Sequence, residues 1–210
     1  MLGLANIHSL LKFKRNSVSY KTYTTEVLVC GSAAHNTSDK NYLLFSKEAG
    51  MLWASARSVR EEKSKQRYAL QDFSEVRVSL IKGKSGWRVG SAEAFGNAFL
   101  RVQERSERGL INFVFVQVRR YVHGEIPLPK IYNDVHEIIT NSSMFREHSL
   151  LVQQLFLVRL LSELGYVAPT SAWQAVVSAS SIAEACATYT DTMAEAIAIA
   201  VHEGTQASHL

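Results

Sequence analysis

The spacing of the apolar residues changes once along this chain, near residue 96, and this change constrains the fold more than any other feature. Before it, apolar residues alternate with polar ones in short runs separated by turn signals, which is typical of β-strands. After it, they recur about every 3.6 positions, which is typical of amphipathic helices. We therefore predict an α+β protein in which strands come first and helices follow.

The first half contains short strand-like runs at residues 24–30, 42–46, 51–59, 72–81 and 87–94. Turn-forming residues lie between them, and Gly50 can adopt a positive φ in the hairpin that joins the second and third runs. Five antiparallel strands fit a small barrel better than a sandwich, which has about seven or more. The pattern predicts a five-stranded OB-type barrel over residues 22–95, preceded by a tail over residues 1–21.

Residues 96–210 are predicted to form a helical bundle. Apolar spacing over residues 99–121 indicates one long helix, or two short ones with a break at Gly109. A further amphipathic segment covers residues 128–139, after a proline-containing interruption.

The segment 145–164 is apolar around most of its circumference, which is typical of a helix at the centre of a bundle. Gly165 fits the position just past its end. Ser180 or Ser181 is predicted to cap a final alanine-rich helix that ends near His202.

Charge is distributed unevenly between the two halves. Residues 1–94 carry 15 Lys and Arg against 8 Asp and Glu, whereas residues 95–210 carry 8 against 11. No Lys or Arg follows Arg159. The basic front half is therefore the part suited to phosphate, and the acidic back half is expected to have a different partner.

The cysteines and histidines argue against metal and redox chemistry. The two cysteines, Cys30 and Cys186, cannot form a four-cysteine metal site or a disulfide framework, which predicts a reduced, intracellular protein. The seven histidines show neither an HExxH pair nor ligand spacing. We therefore expect no bound metal and no cofactor.

Catalytic motifs are also missing from the sequence. It contains no GxSxG, GxGxxG or GxxxxGK[ST], and the run GKSG at residues 83–86 is better explained as a hairpin turn. No nucleophile, base and orienting group occur together, so we expect a protein that is not an enzyme.

The sequence predicts neither a transmembrane helix nor a secretory signal. The most apolar stretch, residues 182–201, is interrupted by three carboxylates, which argues against a transmembrane helix. Basic residues follow the apolar residues 1–11, the reverse of the order in a secretory signal. An organelle transit peptide or a frayed tail fits this start better.

A basic segment between the third and fourth strands, continued on the next hairpin, is the candidate nucleic-acid-binding surface. Its cations are Arg57, Arg60, Lys63, Lys65 and Arg67, followed by Lys82, Lys84 and Arg88. Such cations would neutralise phosphates without reading sequence. Nearby aromatic residues that could stack on bases are Tyr42, Trp53, Tyr68 and Trp87. The competing interpretation is a solvated loop, diluted by Glu61 and Glu62, beside ordinary core aromatics.

Two segments of this chain resemble the bacterial recombination mediator RecO. Residues 63–74, KSKQRYALQDFS, are similar to the family's Lys-Ser-Arg and Ala-Leu-Gln-Pro-Phe-Ser pattern, within a similarity that extends over residues 39–94. Residues 155–166, LFLVRLLSELGY, resemble its central helix with the Leu-Gly-Tyr ending. The resemblance as a whole covers residues 22–170.

The resemblance implies an OB fold that binds single- and double-stranded DNA and anneals complementary strands, in the bacterial cytoplasm in association with the nucleoid. The DNA contacts that it carries over are Arg57, Arg60, Lys63, Lys65 and Arg67. It also implies two protein partners, RecR and the acidic C-terminal tail of single-strand-binding protein. The cations proposed for a tail-binding pocket are Arg119, Arg120 and Arg159.

Several positions depart from the family pattern. Ser58 stands where the family has Gly, Asp72 stands where it has Pro, and Glu61 and Glu62 replace basic residues or proline. The zinc-binding cysteines of many members are absent, so the chain is similar to the zinc-free branch. Two hypotheses follow: a DNA-binding recombination mediator, or a protein-binding adaptor that keeps the architecture and binds DNA poorly.

Overall fold

The structure is a computed structural model that describes residues 21–59, 61 and 64–209, with the backbone alone for Lys65. Within this part of the chain, five strands precede a set of helices, and one short helix lies between the third and fourth strands. This order confirms the α+β prediction. The predicted tail covers residues 1–21, of which the structure describes only Lys21. The interpretation of this start as an organelle transit peptide or a frayed tail therefore falls outside the described residues.

The five strands close into a barrel. They are β1 (Thr22–Ala34), β2 (Lys40–Ser46), β3 (Gly50–Ala56), β4 (Ser74–Gly83) and β5 (Gly86–Asn97). Their order around the barrel is β1-β2-β3-β5-β4, with β4 paired back to β1. The contact between β3 and β5 is parallel, and the other four pairings are antiparallel.

The third strand is shorter than predicted. It ends at Ala56 rather than at residue 59, because Ser58 has a positive φ of 50° that extended backbone does not allow. The hairpin before it is as predicted, with Gly50 at φ 71°.

Alternation along the strands divides the barrel residues between two hydrophobic clusters. Val27 and Val29 of β1 point into the barrel core. Leu28 and Cys30, together with Phe45 of β2, belong instead to the cluster formed by the helices. Burial raises the pKa of the Cys30 thiol to about 12, so this cysteine acts as a small apolar side chain. One face of β1 and β2 therefore lines the barrel core, and the other face packs against the helices.

The helices are α1 (Lys65–Ala69), α2 (Ala98–Arg101), α3 (Arg105–Tyr121), α4 (Pro129–Thr140), α5 (Ser149–Glu163), α6 (Gln174–Ser178), α7 (Ile182–Thr188) and α8 (Ala194–Ala207). The predicted central position of α5 is confirmed, because it packs against α3, α4, α6, α7 and α8. Gly165, at φ 79°, closes it: Tyr166 N–H donates to the carbonyl of Leu161. Throughout the described residues, the helices lack the length and apolar content needed to cross a membrane.

Helix α5 begins at Ser149 rather than at residue 145, and α8 ends at Ala207 rather than near His202. Two further boundaries differ from the predictions for reasons that the structure shows. The first break lies at residues 102–104 rather than at Gly109, because Val102 adopts an extended conformation. The Arg108 side chain donates to the Val102 carbonyl at 3.0 Å and so stabilises the break. The predicted final helix is divided into α7 and α8, because Tyr189 is extended and the short 3-10 turn Asp191–Met193 follows. Ser181, one of the two predicted caps, accepts the N–H of Glu184 and begins α7.

A buried ion pair joins the helices at the centre of the bundle. Arg159 of α5 is 1% exposed and donates to both carboxylate oxygens of Asp134 of α4, at 2.8 and 2.9 Å. Its third nitrogen donates to the carbonyls of Val176 in α6 and of Ala179 just after it. Because a partner protein cannot reach this guanidinium, the prediction that Arg159 lies in a partner-binding pocket is wrong.

Candidate nucleic-acid interface

Three of the predicted DNA-binding cations line one cleft beside the β4–β5 hairpin. Arg57, Lys84 and Arg88 surround a space of about 490 Å³, which we call the hairpin cleft. Their proximity follows from the parallel pairing of Ser55 with Arg88, which joins the end of β3 to the start of β5. Arg57 therefore presents its positive charge to the same concave surface as Lys84 and Arg88, which lie 27 and 31 positions further along the sequence.

Arg67 lies in a second cleft, of about 670 Å³, beside α1. Lys40 lines this second space too, and the sequence analysis did not select it. Lys40 lies on β2 opposite Ala56, the last residue of β3. A prediction of the register between these two strands would have identified it. Asp72, on the same cleft, reduces its positive charge.

The side chain of Asp39 holds the backbone of the turn that follows β3. Its carboxylate accepts the N–H of Ser58 at 2.9 Å and the side-chain amide of Asn36 at 2.9 Å. These donors hold the pKa of Asp39 below its usual value, because they favour the charged carboxylate. The turn that carries Arg57 is thus anchored to the β1–β2 connection.

Replacing Ser58 by Gly is expected to stabilise the protein by about 0.5–1 kcal/mol, because Gly adopts a positive φ without the penalty that a Cβ brings. The measurement is the urea midpoint at constant m-value. Ser64→Gly is the control. Ser64 has φ −75°, so Gly relieves no strain there and only adds conformational freedom to the unfolded chain, which should not stabilise the protein. A destabilised Ser58→Gly protein would contradict the strain argument.

Lys82, the remaining hairpin cation, is not free for phosphate. Its ammonium group lies 3.0 Å from the Glu125 carboxylate and 4.3 Å from the centre of the Trp87 ring. Burial raises the pKa of Glu125, but hydrogen bonds from Lys82 and Trp87 outweigh it and hold this pKa below its usual value. Glu125 therefore remains charged and neutralises Lys82 at neutral pH.

Of the four aromatic residues predicted to stack on bases, two are exposed and the other two are buried or already engaged in contacts. Tyr42 is 2% exposed within the barrel core, so its prediction as a stacking surface is wrong. Trp87 donates its indole N–H to Glu125 at 2.8 Å and meets Tyr23 edge-on at 5.4 Å, in addition to its contact with Lys82. Trp53 and Tyr68 remain available, with 52% and 64% of their surface exposed.

The other predicted site residues are only partly placed. Arg60 and Lys63 lie outside the described residues, and Lys65 begins α1. Arg119 and Arg120 are exposed near the end of α3, where Arg120 lies 5.3 Å from the Tyr121 ring. Across residues 21–59, 61 and 64–209, no three His, Cys, Asp or Glu side chains come together in a way that could hold a metal ion.

Comparison with known proteins gives a partial similarity. No family model matches the chain. Two curated proteins named DNA repair protein RecO, from the DSM 10664 / DCB-2 and Y51 strains of Desulfitobacterium hafniense, are each 41% identical to it over 63 residues. The match covers 30% of this chain and 23% of each relative, so it spans less than a quarter of their length. The similarity supports a relation to RecO proteins of DNA repair.

Proposed function

We propose that this chain is a non-enzymatic, RecO-type DNA-binding protein of recombinational repair. It binds single- and double-stranded DNA, anneals complementary strands, and acts with RecR and single-strand-binding protein to load recombinase. The observation that carries this proposal is the hairpin cleft, in which the fold brings Arg57 together with Lys84 and Arg88 from a distant part of the sequence. The names of the two partial relatives point to the same process.

Barrel topology supports the same proposal. A closed five-stranded barrel with β1 between β2 and β4 is the arrangement expected of an OB-type fold, which binds nucleic acid on an exposed strand face. The proposed DNA contacts are Arg57, Arg60, Lys63, Lys65, Arg67, Lys84 and Arg88, while Lys82 is engaged by Glu125. Cations that contact phosphate give binding without sequence preference, which suits a protein that anneals any pair of complementary strands.

The test is fluorescence anisotropy with labelled single- and double-stranded oligonucleotides at several salt concentrations. For single strands, log K against log salt should fall with a slope of about −0.7 for each phosphate that is neutralised. The triple variant Arg57→Ala, Lys84→Ala, Arg88→Ala should weaken binding to both oligonucleotides. It should also make the single-strand slope shallower by about 2.

A matched control removes three exposed cations that line neither cleft: Lys47→Ala, Arg77→Ala and Arg105→Ala. This variant has the same net charge as the triple variant and should retain most of the affinity. Equal losses in the two variants would mean that overall charge, not the hairpin cleft, causes binding, and would contradict the proposal.

The second candidate is the protein-binding adaptor. It is favoured by the neutralisation of Lys82 by Glu125 and by the absence of Lys and Arg after Arg159, both of which weaken attraction to DNA. If the unmodified chain binds neither oligonucleotide at low salt, the adaptor replaces the mediator as the proposed function.

A further inference from the structure

A third cleft lies where the barrel meets the end of α3. It has a volume of about 510 Å³, and we call it the seam cleft. Its walls come from β3, the β4–β5 hairpin and residues 122–125. The side chains that matter for the argument are Trp53, Trp87, Arg119 and Glu125. A space of this size falls in the range of small-ligand sites.

Hydrogen bonds across the seam cleft hold its walls in place. The backbone N–H of Met51 on β3 donates to the carbonyl of Gly124 at 3.0 Å, which ties the loop after α3 to the barrel. On the hairpin side, the indole of Trp87 donates to Glu125 at 2.8 Å. The cleft is therefore formed before any ligand arrives, which lowers the entropic cost of binding.

Trp53 supplies the free aromatic surface of this cleft. On β3, Leu52 and Ala54 point into the barrel core, so Trp53 between them points outward. Met51, two residues earlier on the same face of β3, packs against the helices. Trp53 lies beyond the region that the helices cover, and its surface is half exposed. An indole face of this kind stacks on any nucleobase.

Arg119 places a positive charge on the same cleft. Its side chain lies against β1, where Cδ and Nη1 are 3.7 Å from the position that a Cβ on Gly31 would take. It forms no ion pair within the part of the chain that the structure describes. Lys82, by contrast, is neutralised by Glu125. Arg119 is thus the wall cation that can pair with a phosphate.

We propose that the seam cleft binds one unpaired nucleotide of a single strand, with its base stacked on Trp53 and a phosphate on Arg119. This inference rests on the proposed function. The seam and hairpin clefts share Ser85, Gly86 and Trp87 in their linings, so a strand held by the hairpin cations can continue into the seam. In a duplex both faces of each base are already stacked, so only a single strand can use the seam cleft.

The experiment compares Trp53→Ala with the unmodified chain on both oligonucleotides. We expect single-strand affinity to fall about tenfold, from the loss of one stacked base, while duplex affinity stays within about twofold. Trp53→Phe should retain most of the single-strand affinity because it keeps an aromatic face. Phe95→Ala is the matched control, since Phe95 is 54% exposed and does not line the cleft.

The charge contribution is tested separately with Arg119→Gln. It should make the single-strand salt slope shallower by about 0.7, whereas Trp53→Ala should leave the slope unchanged because it removes no charge. Arg120→Gln, with the same change in charge at the next residue, should not alter the slope. Circular dichroism and the thermal midpoint establish that each variant is folded.

The outcomes separate this proposal from the proposed function. An equal loss on single-stranded and duplex DNA in Trp53→Ala, or no loss on either, overturns the seam-cleft assignment and leaves DNA binding in place. Failure of the unmodified chain to bind either oligonucleotide overturns the proposed function itself, and the seam-cleft assignment with it.

Discussion

Replacing Arg159 by Met is expected to destabilise the protein by about 3–5 kcal/mol, the cost of leaving one member of a buried ion pair alone. The carboxylate of Asp134 is fully buried and would lose both donors at once. The carbonyls of Val176 and Ala179 would lose their donor as well. The measurement is equilibrium urea unfolding followed by circular dichroism.

Two further variants distinguish the buried pair from a general effect of losing an arginine. Arg77→Met removes one member of the exposed pair with Glu26, and we expect a change below about 1 kcal/mol. The double variant Asp134→Leu with Arg159→Met leaves no unpaired charge, so it should be more stable than Arg159→Met alone. A loss below about 1 kcal/mol for Arg159→Met would contradict the burial argument.

Gly50→Ala is the second large effect that we expect, a loss of about 2–5 kcal/mol. Gly50 has φ 71°, where a residue with a Cβ costs about 1–2 kcal/mol. In addition, a Cβ at this position would clash with the carbonyl oxygen of Ile126, so the backbone must move. That movement would also strain the hydrogen bond between Met51 and Gly124.

The control for this substitution is Gly124→Ala. Gly124 has φ 78°, close to that of Gly50, but a Cβ there meets nothing within 4 Å. It should therefore cost only the conformational penalty, about 1–2 kcal/mol. The difference between the urea midpoints of the two variants measures the backbone clash, and equal midpoints would show that no clash exists.

The sequence predicted the five strands well because strand alternation is a local property, but it did not predict the parallel pairing of β3 with β5. Each of the five runs contains its own pattern, and Gly50 marks the hairpin turn without help from distant residues. The burial of α5 was predictable for the same reason, since its apolar circumference is visible within one segment.

What the sequence could not predict depends on contacts between distant residues. Lys82 is neutralised by Glu125, 43 positions away, and Arg159 pairs with Asp134, 25 positions away. A count of charges nearby in sequence therefore predicted both cations to be available for a ligand when they are not. Tyr42 was misassigned because its face of β2 depends on the strand register. The helix break at residues 102–104 is the exception, because the Arg108 side chain that stabilises it is only six positions from Val102; no glycine or proline signals this break.

The parallel pairing of β3 with β5 is the shortest strand pairing in the barrel, and we call it the β3–β5 joint. The ladder there pairs Ala54 with Trp87 and Ser55 with Arg88, whereas each of the other four ladders is longer. The hairpin and seam clefts both border this joint. A DNA strand bound across them would hold β3 and β5 together, so ligand occupancy would raise the free energy needed to open the barrel. In this molecule, DNA binding and resistance to local unfolding would therefore be coupled.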